Sequence, residues 1–216
     1  MDFQYFLEFV PNLVEAKLPA TEAHIKMAPF ERIEGLKNNA VKNENPRTAA
    51  VMMLFYPKDG ITHLVLIVRN SYVGVHSGQI AFPGGKYEEK DENFSETALR
   101  ETHEEVGISP EIMKVIKPFT PMYIPPSNFI VYPFLGICKD EICFVRDPSE
   151  VAQIIELPLS VFLSDKIVTE AKLSTSYAQN INVPAFDIEG HIVWGATAMI
   201  LSELKDVLNV VLQSEI

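Results

Sequence analysis

The hydrophobic positions change period along the chain. Over residues 2 to 17, Phe3, Phe6, Leu7, Val10, Leu13 and Val14 recur at helical spacing, which predicts an amphipathic helix with an irregularity at Pro11. From Pro19 to Thr48 the pattern weakens, and "KNNAVKNENPRT" reads as a polar linker. A boundary falls there, with residues 1–48 a helical extension and linker and residues 49–216 a separate folded domain. Next come short apolar runs bounded by turn signals: "AAVMMLFYP", a turn at Lys58-Asp59-Gly60, then "THLVLIVR". "QIAF" is a short strand ending in Pro83-Gly84-Gly85. "FIVYPFLGIC" with "EICFVR", and "VPAFDIEGHIVWG" about a Glu189-Gly190 turn, predict further hairpins. The closing "ATAMILSELKDVLNVVLQ" is helical, with Met199, Leu201, Leu204, Val207, Leu208 and Val211 near one face. Strands mixed with a few helices predict an α/β sheet flanked by helices.

One more helix is predicted over roughly 93 to 106, and its polar face is unusual. Asn93 is placed to cap it, with Glu96 as capping-box partner, and Gly107 to end it in a left-handed turn. Leu99, Thr102 and Val106 fall within about 60° of one another and form the core stripe. Glu101, Glu104 and Glu105 fall within about 100° on a different face, roughly opposite, so that all three carboxylates can converge on one point. Arg100 is four residues before Glu104, in position to pair with it or orient it.

Carboxylates together with a carbonyl exposed by a Gly-Gly turn are hard oxygen donors suited to Mg²⁺ or Mn²⁺. Such cations also bind substrate phosphates, neutralise charge at the phosphorus and acidify water, and a glutamate can orient or deprotonate that water. A solvated acidic helix face is the plain alternative. What favours a site is the conjunction of strand, Gly84-Gly85, acidic loop, Arg100-Glu101 and Glu104-Glu105.

Charge and cysteine usage narrow the field further. A net charge of −11 opposes bulk electrostatic binding of nucleic acid, yet a phosphate-bearing ligand stays compatible through a bound cation. The two cysteines, Cys138 and Cys143, flank a polar Lys139-Asp140-Glu141 turn and read as free hairpin thiols in a reducing compartment. The N-terminus lacks a basic segment and does not read as a signal peptide, and no apolar run reaches the length of a membrane span. The expectation is a cytoplasmic protein with a small-molecule partner, neither nucleic acid nor membrane.

Residues 85 to 108 resemble the Nudix box: Gly, five residues, Glu, seven residues, Arg-Glu-apolar-any-Glu-Glu-any-Gly-apolar. Gly85 begins it, and Arg100, Glu101, Glu104, Glu105, Gly107 and Ile108 match its second half. The spacing from Gly85 to Arg100 is one residue longer than the general pattern, so the first box acid is Asp91 counted forward or Glu92 counted back. Thr102 stands where the pattern is apolar. The resemblance implies a Nudix-type α/β/α sandwich with a mixed sheet, and Mg²⁺- or Mn²⁺-dependent hydrolysis of a nucleoside diphosphate linked to another moiety. By the same resemblance Glu101, Glu104 and Glu105 hold metal, with the Gly85 carbonyl a further ligand. Glu101 also acts on the water, and Arg100 orients. A further carboxylate from a later loop is implied too: "RDPSEVAQIIELPL" offers Glu150 and Glu156, with Glu150 preferred because it follows a Pro148-Ser149 turn and is expected to move.

The segment before the box, "LVLIVRNSYVGVHSGQIAFPGG", is similar to the signature of the coenzyme A pyrophosphatase branch, in Arg69, Gly78, Phe82, Pro83, Gly84 and Gly85. The longer Gly85-to-Arg100 spacing also occurs in that branch. Coenzyme A or a derivative is the implied substrate, giving adenosine 3′,5′-bisphosphate and phosphopantetheine. Two positions depart from the signature: Gly74 replaces a second arginine, and Asn70 replaces a small residue. Arg69, His76 and Lys86 are the candidate phosphate-binding cations. ADP-ribose or a dinucleotide polyphosphate is the competing substrate, and a non-catalytic nucleotide-binding module the competing class. The extension at 1–48 has three roles open to it: packing on the domain, covering the pocket, or forming a homodimer interface.

Overall fold

A computed structural model of the protein describes residues 1–38, 45–70, 78–173 and 181–213. Four short helices come first: α1 (Phe3–Glu8), α2 (Val10–Glu15), α3 (Thr21–Lys26) and α4 (Phe30–Lys37). The irregularity expected at Pro11 is a full break. Proline lacks the N–H that a continuous helix would need there, and the chain restarts with Pro11 in the first turn of α2. Phe3, Phe6, Phe9 and Leu13 are buried, whereas Val14 is exposed. Of the segment read as a linker, 37–48, residues 39–44 lie outside the described residues and Arg47 and Thr48 are strand; the weakly patterned stretch before it holds α3 and α4. Each is too short to establish a clear period, and α4 has no buried residue. What holds α3 is tertiary. Its Ala23 and His24 pack against the last helix, and Lys26 pairs with Asp206 at 2.7 Å.

The sheet begins with β1 (Arg47–Lys58), followed by β2 (Ile61–Arg69), β3 (Ile80–Ala81) and β4 (Gly84–Lys86). Next come α5 (Phe94–Val106), β5 (Met113–Pro118), β6 (Met122–Ile124), β7 (Phe129–Cys138), β8 (Val151–Pro158) and α6 (Leu159–Leu163). The chain closes with β9 (Val168–Leu173), β10 (Ile181–Ile188), β11 (His191–Val193) and α7 (Gly195–Gln213). An eight-stranded mixed sheet runs β3-β2-β1-β7-β5, with β4 on β1, β6 on β7 and β8 on β2. β9, β10 and β11 form a second, three-stranded antiparallel sheet.

Strand β1 is the axis of the fold. It pairs in parallel with β7 from Arg47 to Phe55. On its other side it meets β4 near its start and β2 near its end, both antiparallel. A strand covered on both faces reads as an unbroken apolar run, which is why "AAVMMLFY" shows no alternation. Its odd residues Ala49, Met53 and Phe55 face the cluster containing α7 and the N-terminal helices. Its even residues Ala50, Met52, Leu54 and Tyr56 face the cluster under α5. The result is the expected three-layer α/β/α sandwich. The β1–β2 and β10–β11 turns have positive φ at both central residues, Asp59 and Gly60 in one, Glu189 and Gly190 in the other. That is the twist a two-residue hairpin requires.

The hairpin expected of residues 129–138 with 141–146 does not form. After β7 the segment at 139–147 carries no strand and instead lies along the end of α5, where Val145 N–H donates to the Val106 carbonyl (3.0 Å) and Asp147 N–H to the Glu105 carbonyl (2.9 Å). β7 is already flanked by β1 and β5, so a third partner has no edge to join. Cys138 is buried and Cys143 exposed, both as free thiols. β8, within the stretch read as a loop, is a strand because its backbone completes the open edge of β2.

Candidate active site

The geometry starts with α5. Asn93 Oδ1 accepts the Glu96 N–H (3.1 Å), and Glu96 returns a carboxylate oxygen to the Glu92 N–H (3.1 Å), so the expected box closes one residue further out. At the other end Gly107 adopts φ +77, and a Cβ there would also strike the Val145 backbone. Only glycine meets both conditions without strain.

On this helix the three glutamates have different surroundings. Glu104 is half exposed, with 50% side-chain accessibility. Glu101 is largely covered, at 13%. Glu105 is buried, at 1% for the whole residue, and does not share an outward face with the other two. The wheel treats a helix as lying on one plane, but α5 is covered below by the sheet and on its flank by β4. Glu105 points into that flank, and its Oε2 accepts the Gly84 N–H at 2.8 Å. Glu101 lies over the adjacent residue so closely that a Cβ on Gly85 would overlap its carboxylate. Two carboxylates, Glu101 and Glu105, therefore converge on the Gly84-Gly85 backbone, and Glu104 joins them only through Arg100.

Arg100 organises the surrounding loop. Its Nε and Nη2 bind the two oxygens of Asp91 at 2.8 and 3.0 Å. Its Nη1 bridges Glu101 (2.8 Å) and Glu104 (2.9 Å), and Nη2 also reaches the Lys86 carbonyl (3.1 Å). Of the two residues left open for the first box acid, Asp91 takes the place, while Glu92 is exposed. Hydrogen bonds from Arg100, with further ones from the Glu88 N–H and Thr97, hold the buried Asp91 carboxyl well below the usual carboxylate range. Thr102 packs as expected: it is buried, and its hydroxyl donates to the Ala98 carbonyl (2.6 Å).

The electrostatics separate these acids. Burial pushes Glu105 up to about 8; the Gly84 N–H and Arg69 pull it back, and Glu101 and Glu150 push it further. Burial also raises Glu101, with Arg100 opposing and Glu104 and Glu150 adding to the rise. At both groups burial outweighs the positive charge beside them. Arg69 reaches Glu105 only at 3.5 Å. Carboxylates with a backbone carbonyl beside them are the donor set of a divalent cation, so Glu101, Glu105 and the Gly85 carbonyl fit Mg²⁺ or Mn²⁺. Among the described residues no three acidic, histidine or cysteine side chains already form a cage of metal size. In this structure Arg100 occupies Glu101 and Glu104.

Other sequence candidates separate. Glu150 follows the turn, exposed, close enough to influence Glu101 and Glu105. The turn that carries it is tied at several points, contrary to the mobility expected of it. Glu156 is away from them on β8, where it accepts from Tyr56 (2.7 Å) and Lys58 (2.9 Å). Lys86 is exposed on β4. His76 and Gly74 lie outside the described residues. Sequence reasoning passed over Asp147 and gave Asn70 no role. The only available signal was the Asn70 departure itself.

A three-layer mixed α/β sandwich here presents two covered carboxylates from one helix to a Gly-Gly strand, hard oxygen donors of the kind that suit a divalent cation. The NUDIX domain family matches residues 45–175, and the chain belongs to the Nudix hydrolase family. It is 33% identical over 168 residues to "Uncharacterized Nudix hydrolase NudL" of Photorhabdus laumondii, covering 78% of this chain and 88% of that one. It is 30% identical over 177 residues to "Nudix hydrolase 15, mitochondrial" of Arabidopsis thaliana, covering 79% of this chain. The chain spans 61% of that plant relative's length and 53% of another, "Nudix hydrolase 22, chloroplastic". The crystal structure of a Nudix hydrolase from M. smegmatis, RenU, shares the fold with a TM-score of 0.53 at 15% identity, over 76% of this chain and 87% of that one. No described helix is long and apolar enough to cross a membrane.

Proposed function

We propose that this chain hydrolyses the diphosphate bond of a nucleoside diphosphate linked to another moiety, with Mg²⁺ or Mn²⁺. The observation that carries this reading is the convergence of Glu101 and Glu105 on Gly84-Gly85 in surroundings where burial disfavours their charge. A bound divalent cation supplies that charge, withdraws electron density from the diphosphate and acidifies water.

Each residue then has a task. Glu101, Glu105 and the Gly85 carbonyl would hold the cation, with Glu104 added once Arg100 shifts. Glu101 takes a proton from water or orients it. Arg100, fixed by Asp91, sets the direction of Glu101. Arg69, Lys86 and His76 are assigned to the substrate phosphates, and Glu150 is a further acid at the reacting centre. Coenzyme A or a derivative is the leading substrate, with adenosine 3′,5′-bisphosphate and phosphopantetheine as products. The support for that name is the similarity around Arg69, Gly78 and Phe82 to Gly85. Gly74, where the branch signature has an arginine, keeps ADP-ribose and dinucleotide polyphosphates as the competing substrates. A cytoplasmic location belongs to the same reading, resting on two free thiols.

The test is product analysis by mass on a panel of coenzyme A, ADP-ribose and a dinucleotide polyphosphate, with Mg²⁺ and with Mn²⁺. Adenosine 3′,5′-bisphosphate from coenzyme A is the expected product. Turnover of ADP-ribose far above that of coenzyme A removes the substrate assignment. No metal-dependent turnover of any diphosphate favours the binding module.

A further inference from the structure

Strand β2 ends at Arg69, and the next residue does more than end it. The Asn70 N–H donates to the Glu150 carbonyl (2.9 Å), and its side-chain amide donates to the Pro148 carbonyl (2.8 Å). Its own carbonyl accepts the Gly78 N–H (3.3 Å). One residue thus binds two carbonyls of one turn. A small side chain at this position would supply only the main-chain bond.

The turn is also closed from within. Asp147 Oδ1 accepts both the N–H and the hydroxyl of Ser149, each at 2.7 Å. The Asp147 carbonyl accepts the N–H of Glu150 (3.2 Å) and of Val151 (2.9 Å). On its far side Asp147 N–H is bound to the Glu105 carbonyl (2.9 Å), so the turn is clamped between the end of β2 and the end of α5.

A clamp is needed for an electrostatic reason. The Glu150 carboxylate acts on Glu101 and Glu105 and raises both, so ionising one of these acids disfavours ionising the next. An exposed acid on a free turn would swing into solvent, where its charge is cheaper. Held at Pro148 and Glu150, the turn resists that swing.

We propose that Asn70 is a positioning residue, whose side-chain amide, through the Pro148 carbonyl, holds the turn that presents Glu150 to the diphosphate site. The proposal rests on the hydrolase reading above. The test compares the full chain with Asn70→Ala, Asn70→Asp, Glu150→Gln and the Asn70→Ala/Glu150→Gln double variant, in Mg²⁺ with the substrate that the panel identifies. Asn70→Asp keeps the shape but turns an acceptor toward the Pro148 carbonyl. Asn70→Ala, Asn70→Asp and Glu150→Gln should each lower kcat by about ten- to a hundredfold, because a misplacement near 1 Å costs that much. KM should stay within about twofold. The double variant should be no slower than Glu150→Gln alone, since both changes act through one group. Additive losses, or a raised KM with kcat intact, would overturn the proposal.

Amide exchange supplies a readout that needs no turnover. The Glu150 and Val151 amides should exchange faster in Asn70→Asp than in the wild type, and unchanged exchange overturns the clamp whatever the protein hydrolyses. Faster exchange in a protein that hydrolyses no diphosphate would sink the hydrolase reading and leave the clamp standing.

Discussion

Glu105 and Glu203 are both buried glutamates, 1% and 0% exposed, on helices that cover opposite faces of one sheet. Their surroundings make them opposites. Glu203 accepts from the Ala20 N–H (2.9 Å), the Thr120 N–H (3.2 Å) and hydroxyl (2.5 Å), and His24 (3.4 Å). Burial alone would raise it, but hydrogen bonds from His24 and Thr120 outweigh burial and hold it below the usual range. Glu105 has one backbone N–H and a distant Arg69, and burial wins, at about 8. Burial of a carboxylate is therefore uninformative by itself; the donors around it decide between a clasp and a site. Glu203 is the clasp, joining α3 and the Thr120 loop to α7. In the proposed function Glu105 is the one left for a cation to complete.

The largest expected effect is on catalysis. Glu105→Gln should lower kcat/KM by roughly a thousandfold in an assay of Mg²⁺-dependent product release, the scale of losing a group that binds the transition state. Glu203→Gln should keep its rate per folded molecule within a few-fold. Equal losses in the two variants would break the comparison.

Stability should reverse the order. Glu203→Gln should cost about 3 kcal/mol in a urea melt, since it removes one partner of a buried charged network and faces an amide N–H₂ toward N–H donors. Glu105→Gln should cost far less, because with a folded pKa of about 8 the apo protein holds Glu105 mainly as the neutral acid at neutral pH, and a neutral amide replaces it. The pH dependence sharpens this. The folded pKa of Glu105, about 8, lies above its ordinary value of 4.5, so the folded state binds the proton more tightly than the unfolded chain. Relative to Glu105→Gln, the wild type should lose stability as pH rises from 4.5 and level off near 8. Glu203 has the opposite sign: its contribution is present above 4.5 and is lost as pH falls through its lowered folded value.

Next in size, saturating Mg²⁺ at a hundred times its Kd should stabilise the wild type by about 2.7 kcal/mol. That gain should grow from pH 5 to pH 8, because the cation competes with the Glu105 proton. A melt in which Mg²⁺ does nothing at either pH would reduce the three glutamates to an acidic face. The smallest effect is at the cap: Asn93→Ala should cost about 1 kcal/mol in the same melt and leave KM for Mg²⁺ nearly unchanged.

Much of this was legible in residue order. The α5 boundaries, its cap at Asn93, its end at Gly107 and the two hairpin turns all rest on local chemistry that a short window contains. The family pattern singled out Arg100, Glu101, Glu104 and Glu105. Helices α3 and α4 were not legible, since both are short and α3 is held by residues far apart in sequence, with Ser202 donating to the Ala23 carbonyl and Glu203 meeting His24. The segment at 141–146 read as a strand, but β7 has no edge left for it.

Sequence alone determined that a capped helix would carry acids next to a Gly-Gly strand end, because turns, caps and helical period are properties of neighbouring residues. Tertiary structure alone decided which acid is which. The wheel gave all three one outward face, and the flank of β4 buries one of them. It chose Asp91 over Glu92, set Glu203 among its donors and placed Glu150 under Asn70. The reason is that a carboxylate's charge is settled by donors and burial contributed from distant parts of the chain, which no local window contains.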